Sequence, residues 1–216
     1  MLDVVLRRAA LVTALGVCVD CAPRLGPLPG VPAPATLPRA VVPPGHHRVV
    51  FQWELQDPDI TARGEGAARI ASPDSARLDF FLAGGMGSGA AVLIGTELRL
   101  PSRAEDLSRR LVPPPPLLWG ALGRLAIPAV RDTVVRSDGN VLRADIGNPV
   151  EWRLTFMGDT LRRVERVSGG RIQEWVERFA DGRVRYRHEV SHRQLDLLIT
   201  RSDEVSALNP EIWDLP

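Results

Sequence analysis

The stretch VVFQWELQ, residues 49–56, sets the periodicity of this chain. Apolar and polar residues alternate along it, and the apolar ones occupy every second position: Val49, Phe51, Trp53 and Leu55. A period of two places successive side chains on opposite faces of a β-strand. We therefore predict a half-buried strand, with one face against a core and the other in water.

The same period continues through most of the chain. In ITARGEGAARIAS, residues 60–72, Gly64 and Gly66 share one face, where glycine marks a close approach or strong curvature. Alternation returns in residues 75–83, 150–157 and 183–190, and turn pairs separate the segments: Asp138-Gly139, Gly158-Asp159, Gly169-Gly170 and Asp181-Gly182. We predict a meander of about ten short antiparallel strands.

Two helical segments interrupt the strands. In SRAEDLSRRLV, residues 102–112, Ser102 and Glu105 have capping-box spacing. In LLWGALGRLAI, residues 117–127, Leu118, Trp119, Leu122 and Leu125 are spaced as on a helix that Pro128 ends. The predicted fold class is mostly β with an inserted pair of helices: a curved antiparallel sheet that forms an unclosed half barrel with a helical lid.

The N-terminus resembles an export signal. Arg7 and Arg8 precede the apolar stretch AALVTALGVCV, whose 11 residues suit a signal peptide and are too few to span a bilayer. Cys18 follows Leu-Gly-Val, which resembles a lipobox although Val17 is larger than usual there; Cys21 is the alternative lipidation site. A plain secretory signal, or pairing of Cys18 with Cys21, is also compatible with these residues.

A proline-rich segment follows the signal. Residues 22–45 contain eight prolines and no apolar period, which is typical of an extended, semi-rigid tether outside a core. We predict three parts: a signal peptide with a possible lipobox over 1–21, the tether over 22–45 and one folded domain over 46–216.

Composition and motifs exclude several classes of protein. The 216 residues are 44% hydrophobic and 25% charged, which is an ordinary globular balance. The net charge of +1 provides no general attraction to nucleic acid, so no nucleic-acid partner is predicted. There is no G-x-S-x-G nucleophile motif and no P-loop. We predict a protein that is not an enzyme and has no cofactor.

One motif in the sequence would indicate an enzyme. His188, Glu189 and His192 have the H-E-x-x-H order of helical zinc proteases, and Glu211 follows at a distance where a third ligand could lie. The local alternation predicts a strand, on which His188 and His192 share a face while Glu189 points to the opposite one. A zinc hydrolase therefore remains only a remote alternative.

The order of features in two longer stretches resembles the LolA/LolB superfamily of bacterial lipoprotein carriers and receptors. The first is RGEGAARIASPDSARLDFFLAGGMGSGAAVLIGTELRLP, residues 63–101, with a small-residue strand, a Pro-Asp, a strand with Arg and Leu, and a glycine-bearing hairpin. The second is LVPPPPLLWGALGRLAIP, residues 111–128, which is similar to the helical stretch of LolB. The likeness covers about residues 47 to 202 and is closest to LolB.

The resemblance implies an apolar cavity that holds the acyl chains of lipoproteins. The candidate lining residues are Phe51, Trp53, Leu78, Phe80, Leu118, Trp119, Leu122, Trp152 and Leu154. Met86, at the tip of the GGMGSG hairpin, corresponds to the exposed apolar residue that LolB uses to deliver its cargo; alternatively, its side chain folds back over the barrel mouth.

The same resemblance implies partners and a location. The expected partners are acylated lipoproteins, a periplasmic LolA-like carrier and the outer membrane, and the expected location is the periplasmic face of that membrane. A soluble periplasmic protein is the alternative location. A structural or binding lipoprotein of the same fold, which holds another apolar ligand or a protein partner, is the alternative function.

Overall fold

We describe the fold from a computed structural model, which describes residues 22–85, 87–101, 110–128 and 132–215. Cys18, Cys21, Met86 and most of the first predicted helix lie outside these residues. The described strands are β1 Val31–Pro32, β2 His46–Asp57, β3 Ile60–Ala71, β4 Ser75–Leu82, β5 Ser88–Ile94, β6 Glu97–Arg99, β7 Thr133–Asp138, β8 Val141–Ile146, β9 Trp152–Met157, β10 Thr160–Ser168, β11 Arg171–Arg178, β12 Arg183–His188 and β13 Arg193–Val205. A helix, α1, spans Pro115–Ala121, and a 3-10 helix spans Pro210–Trp213.

All thirteen strands belong to one antiparallel sheet. Their order is β1-β7-β8-β9-β10-β11-β12-β13-β2-β3-β4-β5-β6, so β1 and β6 are the two edges and the sheet is not closed into a barrel. Strand β2 pairs with β13, which brings the start and the end of the domain together in the middle of the sheet. The predicted fold class, a mostly β unclosed half barrel with a helical cover, is confirmed.

The alternating pattern of β2 decides which face is buried. Phe51, Trp53 and Leu55 are buried and belong to the main core, whereas Gln52 and Glu54 are exposed. We call the face that carries the main core and α1 the inner face, and the opposite one the outer face. Each of these buried side chains contributes about 1.5–3 kcal/mol relative to exposure, so a one-residue slip of register would be costly.

Two glycines of β3 make room for the rings of β2. A Cβ at Gly64 would collide with the Phe81 carbonyl and the Trp53 ring, and a Cβ at Gly66 would collide with the Phe51 ring. The Trp53 indole of β2 donates a hydrogen bond at 2.9 Å to the carbonyl of Glu65, which lies between the two glycines on β3. The close approach that glycine in a strand indicates is confirmed here.

The helical part is shorter than predicted. Helix α1 begins after Pro114 and ends at Ala121, so Leu125 is not helical. Gly123 ends it because its backbone has a φ of 88°, a conformation that side chains oppose. Among the described residues no helix is long and apolar enough to cross a membrane.

The proline-rich segment is part of the folded domain, so the prediction that residues 22–45 stay outside the core is wrong. Ala22 and Leu28 are buried, and Ala40 and Val42 belong to the main core. Strand β1 pairs with β7 at the sheet edge, and the Pro23 carbonyl accepts a hydrogen bond from the Ile172 amide at 2.9 Å. Proline supplies the extended backbone that lets the segment follow the sheet, and the backbone groups that remain still bond to it.

Candidate functional site

The candidate site is the apolar interior between α1 and the inner face of the sheet. It is lined by Leu78, Phe80, Leu111, Pro113, Leu118, Ala121, Val176, Val184, Tyr186, Leu195 and Leu197. Most are strand residues with inward-facing positions, and the rest come from α1 and the residues before it. The lining is therefore apolar apart from one phenol group.

Helix α1 lies directly on β10 and β11 because it carries a glycine at the contact. A Cβ on Gly120 would lie 2.9 Å from Val176 Cγ1 and 3.0 Å from Val164 Cγ2, closer than ordinary carbon contacts. All of the helix from Leu117 to Ala121 is buried. The Trp119 indole donates to the Gly95 carbonyl at 2.6 Å, which connects the helix to the β5–β6 turn.

The interior is filled in this conformation. The space beneath α1 is about 10 Å³, too small for more than a single water molecule. Among the described residues this space does not accommodate an acyl chain, whose binding beneath α1 would require α1 or the proline-rich segment to move. The segment belongs to the same cover, since the Ala40 carbonyl accepts from the Leu125 amide at 2.9 Å.

The structure brings the predicted cavity residues together in one core. All of them except Leu122 are buried in the main cluster, and Leu122 packs against that cluster half-buried. Leu78, Phe80 and Leu118 line the interior directly. Phe80 makes edge-to-face contacts with Phe51 and Trp53 at centroid distances of 5.7 and 6.0 Å. Whether the set lines a ligand cavity in an open conformation stays a prediction.

Sequence reasoning missed the far wall of this interior. Val176, Val184 and Leu195 lie on the arginine-rich late strands, where charged neighbours dominate the composition. The alternation of apolar and charged residues in β12 does predict that Val184 and Tyr186 face inward, as they do. Their contact with α1 depends on long-range topology, which periodicity does not predict.

A buried polar group lies at one end of the inner face. Glu174 is 1% exposed, accepts a hydrogen bond from the Tyr186 hydroxyl at 2.7 Å and pairs with Arg166 at 2.5 Å. Burial, together with the negative charge of Glu174, raises the pKa of Tyr186 far above its usual range. A neutral phenol at this position preserves the donor that the buried carboxylate needs.

The H-E-x-x-H residues lie at a strand end and in a turn, not on a helix. His188 ends β12, Glu189 to His192 form the turn to β13, and His192 has a left-handed φ of 53°. The predicted strand is thus right only as far as His188. Glu189 accepts from the Trp175 indole at 2.7 Å and pairs with Arg187, while His188 Nδ1 contacts Ser191.

The helix face that a zinc-protease motif requires is therefore not formed. No group of three or more His, Cys, Asp or Glu positioned to hold a metal occurs within the described ranges. The motif residues instead stabilise a hairpin turn through hydrogen bonds.

Comparison with solved structures identifies the class of fold. The chain is similar to a LolA superfamily protein from Nitrosomonas europaea, with a TM-score of 0.50 and 12% identity over 82% of this chain and 93% of that one. It is also similar to a putative outer membrane lipoprotein-sorting protein domain from Vibrio parahaemolyticus, with a TM-score of 0.41 and 7% identity over 79% of this chain and 89% of that one. A DUF1329 family protein from Desulfovibrio piger has a TM-score of 0.44 and 8% identity over 79% of this chain and 90% of that one.

The fold is similar to that of the LolA superfamily protein from Nitrosomonas europaea, in agreement with the resemblance in the sequence. This conclusion rests on the Nitrosomonas europaea structure, and at 12% identity the likeness shows the fold alone. No protein-family profile and no curated protein matches the sequence.

Proposed function

We propose that this protein binds acyl chains of lipoproteins beneath α1 and helps to insert lipoproteins into the outer membrane, in the manner of LolB and without catalysis. The observation that carries the proposal is a large apolar inner face covered by a seven-residue helix and a proline-rich segment. Such a cover is small enough to move as a unit, whereas the thirteen-stranded sheet beneath it is continuous.

The energetics of this binding need no reactive group. Each CH₂ group moved from water into an apolar interior is stabilised by about 0.8 kcal/mol, so a long acyl chain can offset the separation of α1 from the sheet. The apolar surface uncovered by the helix is covered again by the ligand. Binding of this kind depends on shape and apolar contact more than on particular residues.

Lipid attachment at Cys18 belongs to the same proposal, with Cys21 as the alternative. Only three residues separate Cys18 from Ala22, which is buried and whose carbonyl accepts from Arg171 at 2.8 Å. An anchor at Cys18 would therefore hold the domain close to the periplasmic face of the outer membrane. This replaces the predicted long tether with a short connection.

A delivery assay tests the proposal. Purified protein is mixed with an acylated lipoprotein held by a LolA-like carrier, and transfer to phospholipid vesicles is measured. Met86→Asp is expected to reduce transfer strongly without loss of folding, because a charge at the hairpin tip opposes contact with the membrane. Met157→Asp is the matched control, since Met157 is 47% exposed at the end of β9. Equal transfer by wild type, Met86→Asp and Met157→Asp would contradict the proposal.

A second function is favoured by one observation, the filled interior. If the cover does not move, the protein is a structural or binding lipoprotein of the same fold that binds a protein partner, or another apolar ligand outside this interior. Native mass spectrometry of the purified protein separates the two: a bound acyl-chain mass supports the first function, and a bare protein after incubation with lipid supports the second.

A further inference from the structure

Two neighbouring arginines on the inner face have no counter-ion within the described ranges. Arg162 lies on β10 and Arg178 ends β11, and Arg162 Nη1 donates to the Arg178 carbonyl at 3.5 Å. In the described part of the chain neither guanidinium has a carboxylate within 4.0 Å, although most other arginines of the late strands are paired with one. Two adjacent cations without an anion are an unfavourable arrangement for a folded protein.

Apart from Arg162 Nη1, the guanidinium groups of this pair donate no hydrogen bond to the described residues. Among the residues that the structure describes, Arg162 Nε is buried without a partner and the Arg178 guanidinium donates no hydrogen bond. Burial and the nearby charge of Arg162 both lower the pKa of Arg178. A buried N–H group without an acceptor, such as Arg162 Nε, favours a ligand that supplies one.

The pair lies at the end of the apolar interior. Arg178 pairs across the sheet with Val184 and is two residues from Val176, and both valines line the space beneath α1. The turn that ends the helix contacts the same guanidinium, since a Cβ on Gly123 would lie 2.5 Å from Arg178 Nη1. An apolar interior that ends in two unpaired cations is complementary to an anionic amphiphile.

We propose that Arg162 and Arg178 bind the anionic head group, a phosphate or carboxylate, of a ligand whose acyl chain lies beneath α1. The inference rests on the proposed acyl-chain binding beneath α1, but its ligand is an anionic amphiphile and not the lipid-modified cysteine of a lipoprotein, whose head carries no phosphate or carboxylate. Guanidinium groups bind such oxyanions through charge-assisted hydrogen bonds. The ligand would supply the negative charge that neutralises Arg162 and Arg178, because no described carboxylate does so.

Calorimetric titration of the purified protein with three probes tests this inference: dodecyl phosphate, dodecanol and inorganic phosphate. Dodecyl phosphate is expected to bind at least about tenfold more tightly than dodecanol, because one charge-assisted contact contributes about that factor. Arg162→Gln and Arg178→Gln are expected to remove this difference and to leave dodecanol binding unchanged. Arg201→Gln is the matched control, because Arg201 is 71% exposed and paired with Asp203 on β13.

The outcomes separate the head-group site from the proposed function. Equal affinity for dodecyl phosphate and dodecanol would overturn the head-group site while acyl-chain binding stands. Binding of inorganic phosphate with neither amphiphile, or of no probe at all, would overturn both. Denaturation of the unliganded variants checks folding: Arg178→Gln is expected to be at least as stable as wild type, and a large loss of stability would show that Arg178 has a structural partner instead.

Discussion

The contact between α1 and the sheet can be tested by adding one methyl group. In Gly120→Ala the new Cβ would lie 2.9 Å from Val176 Cγ1 and 3.0 Å from Val164 Cγ2, about half an ångström closer than carbon atoms prefer. Overpacking of this kind costs about 1–3 kcal/mol, whereas alanine in a helix is favoured over glycine by about 1 kcal/mol. The expected net effect is a loss of about 1 kcal/mol in the free energy of unfolding.

Urea denaturation followed by tryptophan fluorescence measures this change. Gly26→Ala is the matched control, because no atom lies within 4 Å of the Cβ that it adds and its φ is not in the left-handed region. The control is expected to stay within about 0.5 kcal/mol of wild type. A gain of 0.5–1 kcal/mol (about the helix-propensity term alone) in Gly120→Ala would refute the close packing of α1 on β10 and β11.

Three further predictions concern ionisation and the proline-rich segment. Tyr186 is the one tyrosine of the chain, so the absorbance of tyrosinate reports its ionisation alone. Because the pKa of Tyr186 is raised in the folded state, we expect no titration of the folded protein near pH 10, which is roughly the pKa of an unfolded tyrosine. The stability that the neutral phenol contributes is complete below about pH 10 and is lost as the pH rises above it. Ordinary titration near pH 10 in the folded protein would contradict the burial of its hydroxyl. Asp57 accepts a hydrogen bond from Arg193 at 2.7 Å, and this bond lowers the pKa of Asp57. Asp57→Asn should therefore reduce stability at neutral pH, and the loss should become smaller as the pH falls below about 4. Acid denaturation of wild type and variant measures this difference. A cost independent of pH would assign the effect of Asp57→Asn to packing. Deleting residues 22–45 should lower the denaturation midpoint, because Ala40 and Val42 are removed from the core and β7 loses its pairing with β1. An unchanged midpoint would show that the segment does not stabilise the domain and is a free tether.

The sheet was predictable because its signal is local. Alternation in β2 and the turn glycines at residues 139, 158, 169, 170 and 182 are short-range features, and each glycine takes the positive φ that its turn requires. The close approach of β2 and β3 followed from Gly64 and Gly66 for the same reason.

The errors concern segments whose structure depends on distant partners. Proline content indicated an extended backbone in residues 22–45, but the contacts of Val42 with the core come from the topology of the sheet. The helix was predicted too long because apolar spacing continues past Gly123, where the Arg178 guanidinium occupies the space of a side chain. The site was predicted only as a set of core residues, since a strand pattern does not tell which core residues the helix covers.

The central claim is that an acyl chain enters beneath α1 when this helix, rather than the proline-rich segment alone, moves away from the sheet, and it can be tested with a reversible disulfide. The Cβ position of residue 120 lies 2.9 Å from a γ-carbon of Val176, so Gly120→Cys with Val176→Cys places two thiols within the range that a disulfide spans. Each single substitution serves as a control, because Cys18 and Cys21 are also present in the chain.

The measurement is uptake of dodecanol by native mass spectrometry, in oxidising buffer and after reduction. The account predicts that the oxidised double variant binds none, that reduction restores binding, and that wild type and both single variants bind in either buffer. Equal uptake by the oxidised and reduced double variant, with the disulfide shown by mass to be formed, would contradict the claim that the ligand lies beneath α1.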